Sequence, residues 1–301
     1  MDTPVLLLVF NRPEKVKQLI AALEKVQPKK LYVSADGPRK HIEDESEKCA
    51  AVRGLFDALP WECEVQRNFS EENKGCKYGV SSGITWFFEH EEQGIILEDD
   101  CIPQPDFFSF CEKMLTLYAN NDKVMHINGT TFIQDTTGRS HYFSQVPHVW
   151  GWATWRWAWQ KVDLEMKERT HVARQKSFLK LFKNKIDAWY WMDLFRYVNQ
   201  KNVDTWDVSW VYSVMSQGGV CVACPTNMVE NIGFDEEATH TKKVNLATLP
   251  AQQRDSRGRI EPMAVKVDKD MDHMVMKKVF HGGWVSRITR IIKMVFFRYH
   301  G

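Results

Sequence analysis

The chain reads as an α/β protein, with a mixed, mainly parallel sheet flanked by helices and a helical C-terminal extension. Three observations predict this class. Short apolar runs alternate with segments of helical periodicity through the first hundred residues. The run Ile95-Ile96-Leu97 is apolar at successive positions, as in a strand buried on both faces. Each run also stops at polar or acidic residues, which places the ends of successive strands along one edge of the sheet.

The elements follow in order. Residues 5–10 form a first strand, closed by Asn11-Arg12-Pro13, with the proline suited to a helix start. Val16, Leu19, Ile20, Leu23 and Val26 then recur at helical spacing over 14–26. Leu31 to Ala35 is a second strand ending at Asp36-Gly37-Pro38-Arg39, and residues 48–59 are helical. Glu64 to Phe69 is a third strand, 77–90 a helix and 94–98 a fourth strand. Further on, 105–119 is helical, Lys123 to Ile127 a strand, 164–200 helical and Val220 to Ala223 a late strand. A helix starts near Trp206-Asp207-Val208-Ser209-Trp210, and 242–270 is polar and irregular. On this reading residues 1–241 form one domain and 242–301 an extension.

Composition narrows the class. With 301 residues, 44% of them hydrophobic, the chain can bury a large core. Lysine plus arginine number 40 against 39 acids, so nothing in the overall charge points to nucleic acid. The seven cysteines are odd in number and scattered, which argues against a disulfide framework and for a reducing, cytoplasmic setting. Cys221-x-x-Cys224 is a lone pair within a strand-like run, better explained by core packing than by zinc or redox chemistry. The apolar start is too short to span a membrane and lacks a basic leader.

Chemistry concentrates at Glu98-Asp99-Asp100, which follows the fourth strand directly. Three adjacent carboxylates repel one another and are costly to bury unpaired. Either the segment is an acidic turn, or a divalent cation with oxygen ligands is held there and shared with an anion such as a diphosphate. Arg12, Asp36 and Asn68 end neighbouring strands on the same edge. Between 150 and 159 lie five tryptophans. Trp155 and Trp159, one helical turn apart, suit a core, whereas Trp150 and Trp152 flank Gly151 and suit a ligand wall. Asp207 is either a helix N-cap or a catalytic carboxylate. After Asp272 there is no acid, and residues 284–298 spell a basic amphipathic helix for either an anionic membrane surface or the domain itself.

Taken together, residues 5–13 with Arg12, Ala35-Asp36-Gly37, Leu97-Glu98-Asp99-Asp100 with Pro105-Asp106-Phe107-Phe108, Gly151-Trp152 and Trp206-Asp207-x-x-Trp210 resemble glycosyltransferases of the Rossmann-like GT-A fold. They are similar in particular to N-acetylglucosaminyltransferase I and to family-2-like bacterial sugar transferases. The resemblance covers residues 4–241. It implies a nucleotide-sugar on the sheet edge, with UDP-sugars favoured through the match at Asp36, and Mn2+ (or Mg2+) at the acids. By that implication Asp100 is the metal ligand, Glu98 and Asp99 contact ribose, diphosphate or sugar, Arg12 meets the diphosphate, Asp36 accepts from a uracil-type edge and Asp207 is the base. Asn68, Lys77, Tyr78 and the Trp150–Trp152 segment, with Gly151, would line the donor and acceptor walls, and His240 would complete the metal shell. The family pattern has two acids after its tryptophan, where this chain has Asp207 and Val208. The expected activity is inverting transfer of a hexosyl or N-acetylhexosaminyl group to a hydroxyl of a glycan or lipid-linked acceptor, in surface polysaccharide or lipopolysaccharide assembly. A sugar nucleotidyltransferase is the alternative, weakened because Asn11-Arg12-Pro13 carries no glycine. A non-catalytic carbohydrate-binding protein is another, but leaves the acids without a purpose.

Overall fold

The computed structural model describes residues 1–167, 176–233, 249–252 and 260–280. His240 and the basic segment 284–298 lie outside the described residues.

The first half alternates strand and helix as its sequence predicts. β1 (Val5–Val9), β2 (Lys30–Ala35), β3 (Glu64–Phe69) and β4 (Gln93–Glu98) pair in parallel in the order β3-β2-β1-β4. Between them run α1 (Pro13–Glu24), α2 (Glu45–Gly54) and α3 (Ser81–His90), the last preceded by a wide helical turn over Cys76–Val80. Pro13 opens α1, where its missing N–H costs nothing.

The second half departs from simple alternation. After β4 come β5 (Cys101–Pro103), α4 (Pro105–Leu117), β6 (Val124–Asn128), β7 (Tyr142–Ser144) and β8 (Trp152–Trp155). Then follow α5 (Arg156–Trp159), α6 (Lys176–Leu179), α7 (Lys185–Gln200), α8 (Asp207–Ser216), β9 (Val220–Ala223), β10 (Val229–Asn231) and α9 (Lys269–Val275). The full sheet has eight strands in the order β3-β2-β1-β4-β8-β6-β9-β7. β8 is antiparallel to both β4 and β6, and β7 is antiparallel to β9. β5 and β10 form a separate two-stranded antiparallel ribbon.

Strand alternation sorts the core into two layers. Val5, Leu7 and Val9 face α1, α2 and α4, through Val16, Leu19, Val52, Phe107 and Met114. Leu6 and Leu8 face α3, α5 and α8, through Ile84, Phe87, Trp159 and Trp210. Helices therefore cover both faces, which is why β1 is buried at every position. A third cluster joins α6, α7 and α8 with Met276. Residues 260–280 fold against the β7 edge: Val267 bridges Phe143, and Met271 of α9 packs with Tyr142 and Ala223.

Two sequence expectations change here. The tryptophan-rich segment is a strand followed by a single helical turn, not a helix. Trp155 and Trp159 are both buried as expected, but Trp155 is on β8 and Trp159 on α5. The helical reading of 164–200 holds for Lys176–Leu179 and Lys185–Gln200, while 163–167 is irregular. The seven cysteines are free thiols, and Cys221 and Cys224 are core residues.

Candidate active site

The carboxyl ends of β1, β2 and β4 open onto a cleft of about 420 Å³. Its lining includes Arg12, Asp36, Glu98, Asp99, Asp100, Trp150 and Asp207, all anticipated from sequence. Parallel pairing brings them together. Arg12 follows β1, Asp36 follows β2 and Glu98 ends β4, so three segments distant in sequence reach one edge. β8 runs the opposite way, so Trp150, two residues before it, arrives at that edge too.

The acid cluster is held tightly. Asp99 is 2% exposed and Arg12 16%. The Arg12 guanidinium grips both carboxylates: Nε and Nη2 donate to Asp99, and Nη1 donates to Asp100 Oδ2 at 3.0 Å. Asp100 Oδ1 accepts from Asn231 Nδ2 at 3.4 Å. Burial opposes the charge on Arg12, but Asp99 and Asp100 outweigh that and raise its pKa. Burial, together with Asp100, Asp99 and Asp207, pushes the Glu98 carboxyl well above the ordinary range. Burial and Asp100 push Asp99 up as well, against the pull of Arg12.

Asn231 and Gly233 were not anticipated. The β5–β10 ribbon carries them to Asp100, with Ile232 N–H donating to the Asp100 carbonyl at 2.8 Å. A side chain at Gly233 would place its Cβ 2.2 Å from Asp100 Oδ2 and would have to push that carboxylate out of its present position.

Lys74-Gly75-Cys76-Lys77 passes between two carboxylates. Asp36 accepts from the N–H groups of Gly37, Lys74 and Gly75 at 2.9–3.1 Å. Asp204 accepts from Cys76 N–H at 2.9 Å and Lys77 N–H at 2.7 Å. A carboxylate has about four acceptor directions, and three N–H groups fill most of those of Asp36. Asp36 thus shapes the wall of the cleft that it lines. Burial raises its pKa while the N–H groups pull it back.

Asp207 opens α8 as its first residue, after Trp206 at the N-cap. Its side chain does not cap the helix: Oδ1 accepts from Thr205 Oγ1 and from the adjacent Val208 N–H. Asp207 lines the cleft.

Other expected site residues lie elsewhere. Trp152 is fully buried, stacked between His126 and Trp206, because β8 directs it into the layer beneath α8. It is no ligand wall. Gly151 has φ +66° and accepts from Gly129 N–H at 2.9 Å, making the turn into β8 without lining the cleft. Asn68 sits on the edge strand β3, in register with Ser34 and two strands from β1, away from the cleft. The Lys77 ammonium turns away to Glu165 at 2.7 Å, and Tyr78, 52% exposed, donates to the same carboxylate at 3.0 Å.

Arg39 was within reach of sequence reading, four residues into the turn after β2. It lies over the Phe10 ring and is held by Glu45, itself 1% exposed, through its backbone N–H and guanidinium. Asp204, Asn231 and Gly233 carry no comparable signal, since only tertiary pairing brings them to the edge.

The donor set fits a hard divalent cation. Magnesium-like ions are held by one or two carboxylates together with phosphate oxygens and water. Glu98, Asp99 and Asp100 offer hard oxygens beside a cleft, and their mutual repulsion is what such a cation relieves. Among the described residues, no three His, Cys, Asp or Glu side chains converge as a complete metal cage.

No protein-family model matches the chain, and no curated protein matches it. Solved structures similar in fold include GalNAc-T7 with UDP, GalNAc and Mn2+, at 13% identity and a TM-score of 0.44 over 75% of this chain and 43% of that one. The galactosyltransferase LgtC with donor and acceptor sugar analogues is 10% identical, with a TM-score of 0.36 over 73% and 72% of the two chains. Apo UDP-glucose pyrophosphorylase is 8% identical, with a TM-score of 0.38 over 77% and 92%. The eight-stranded mixed sheet covered by helices on both faces is the α/β class that the sequence predicts.

Proposed function

We propose that this chain is an inverting, metal-dependent glycosyltransferase that moves a sugar from a nucleoside diphosphate, with UDP the favoured carrier, to an acceptor hydroxyl. The observation that carries the reading is the cleft: Arg12, the three acids at the end of β4 and Asp207 line one space.

The cleft lining holds six carboxylates (Asp36, Glu98, Asp99, Asp100, Asp204 and Asp207) against two guanidiniums, Arg12 and Arg39. A diphosphate enters such a site only with added positive charge. Asp100 would hold a divalent ion, which when bound would supply that charge and Lewis-acid stabilisation of the leaving diphosphate. Arg12 adds a charge-assisted bond to a phosphate oxygen. Asp207 takes the proton of the acceptor hydroxyl as its oxygen attacks the anomeric carbon. The bond from that carbon to the diphosphate oxygen breaks, and the nucleoside diphosphate leaves with the electron pair. With base and leaving group on opposite sides of the sugar, the configuration inverts. Trp150, at the cleft wall, offers an aromatic face to a sugar ring.

The acceptor in this reading is a glycan or lipid-linked sugar of surface-polysaccharide assembly. The acid-free sequence after Asp272 favours work at an anionic membrane face. Among the described residues no helix is long and apolar enough to cross a membrane.

Calorimetric titration with UDP and with GDP, each with and without Mn2+, tests the proposal. The expected result is Mn2+-dependent UDP binding that Asp100→Ala abolishes. A folded protein that binds neither nucleotide sinks it.

A further inference from the structure

Arg12 and a metal ion compete for the same oxygen. Arg12 Nη1 sits 3.0 Å from Asp100 Oδ2, the guanidinium also grips Asp99, and both carboxylates are largely buried. Asp100 Oδ1 is engaged by Asn231 and approached by the Cys101 thiol at 3.6 Å. A divalent cation bonds carboxylate oxygen at about 2.0–2.1 Å, so at the oxygen Arg12 already holds at 3.0 Å it meets a like charge a few ångströms away. The other cation of the cleft, Arg39, is tied to the buried Glu45 and is no substitute counter-ion for these acids.

We propose that Arg12 is a latch on the metal site: it neutralises Asp99 and Asp100 itself, and an arriving diphosphate draws it off, freeing Asp100 for the cation. The inference rests on the transferase reading for the diphosphate, but its core, competition between Arg12 and a cation, does not. A diphosphate offers Arg12 a second bidentate anionic partner while the cation takes over the charge of the buried Asp99 and Asp100, so the exchange costs little when nucleotide and metal arrive together. With the cation alone, Arg12 must be displaced with nothing to receive it. Metal and nucleotide then tighten each other's binding, and the coupling is reciprocal. The device keeps a stray cation from occupying the site before the donor arrives, and Arg12 acts in it as a positioning residue before it meets substrate.

The test is titration of Mn2+ alone, then of UDP at saturating Mn2+, into wild type, Arg12→Gln and Arg12→Lys, with melting temperatures recorded for each. Arg12→Gln removes the charge and the grip. Arg12→Lys keeps the charge but loses the fork that spans Asp99 and Asp100. The latch predicts that Mn2+ alone binds about tenfold tighter to Arg12→Gln and about threefold tighter to Arg12→Lys, while UDP binds both more weakly, within the usual range of coupling. Mn2+ also raises the melting temperature of Arg12→Gln more than that of wild type. If Mn2+ affinity rises in Arg12→Gln but not in Arg12→Lys, the effect is only the missing charge and the latch is wrong. Unchanged affinity in both variants overturns it equally. Should Arg12→Gln not fold, the Arg12→Lys arm decides alone. Wild type that takes Mn2+ but no UDP removes the transferase reading, and the metal-only arms still decide the competition.

Discussion

Trp152 shows how a single residue divides fold from site. Its ring lies 4.9 Å from that of His126 and 5.7 Å from those of Trp206 and Trp210. His126 in turn accepts from Trp210 Nε1–H at 3.0 Å, and burial drops its pKa to about 3, so it packs as a neutral ring. Trp152→Ala empties the middle of this cluster and is expected to cost about 3–5 kcal/mol in urea unfolding. Trp152→Phe keeps most of the ring contact, so UDP affinity should stay within about threefold of wild type while the melting temperature falls. A well-folded Trp152→Phe protein that loses UDP binding would restore the ring to a ligand wall. The sequence shows five tryptophans but not which way they point, because β8 is too short to display an alternation. The charges at Arg12 and Glu98-Asp99-Asp100 were legible for the opposite reason. An abrupt run of carboxylates at the end of an apolar strand has few structural explanations, whereas a tryptophan has many.

At the scale of elements, length decided what could be read. β1 to β4 are five or six residues each, with helices between them; apolar runs mark β1, β2 and β4, and the polar β3 is placed by its position in the alternation. β5, β7 and β10 have three residues each and sit between turns, where no period can show. The missed ribbon of β5 and β10 is what carries Asn231 and Gly233 to Asp100. The loop before α3 shows no period either. Its Lys74 to Lys77 N–H groups, the start of a helix that runs through Ser81–His90, are capped from outside by Asp36 and Asp204. Asp204 lies three residues before Asp207, so this loop ties the β2 end of the cleft to the start of α8. Asp204→Ala leaves two N–H groups at a helix start without acceptors and should cost about 1 kcal/mol, as loss of a helix cap does. Asp204→Asn retains one acceptor and should recover about half of that in the same denaturation series. Equal stability of all three proteins would mean that water replaces the carboxylate and that the clamp is incidental.

Across the whole molecule, stability against pH reports how the C-terminal part is fastened to the sheet. Asp272 of α9 accepts from Ser144 Oγ at 2.6 Å and from Gln145 N–H at 2.8 Å, beside β7. Burial lifts its pKa from the ordinary 3.8 to about 7, and Asp268 and Asp187 add to the rise against the pull of those two donors. Between the two values the folded protein keeps a proton that the unfolded chain has released. The contribution of Asp272 is therefore full below about pH 4 and is lost as the pH climbs through about 7. Every other carboxylate adds its own slope, so the quantity to measure is the difference between wild type and Asp272→Asn. Asparagine stays neutral at all pH values and can still accept one of the two bonds. In urea unfolding from pH 5 to pH 8, wild type should lose stability relative to Asp272→Asn by about 1.4 kcal/mol for each pH unit at most, with the slope flattening above about pH 7. A difference that stays level, or that grows in favour of wild type as the pH rises, would mean that Asp272 is already ionised in the folded protein and that α9 is held to β7 by charge, not by a shared proton.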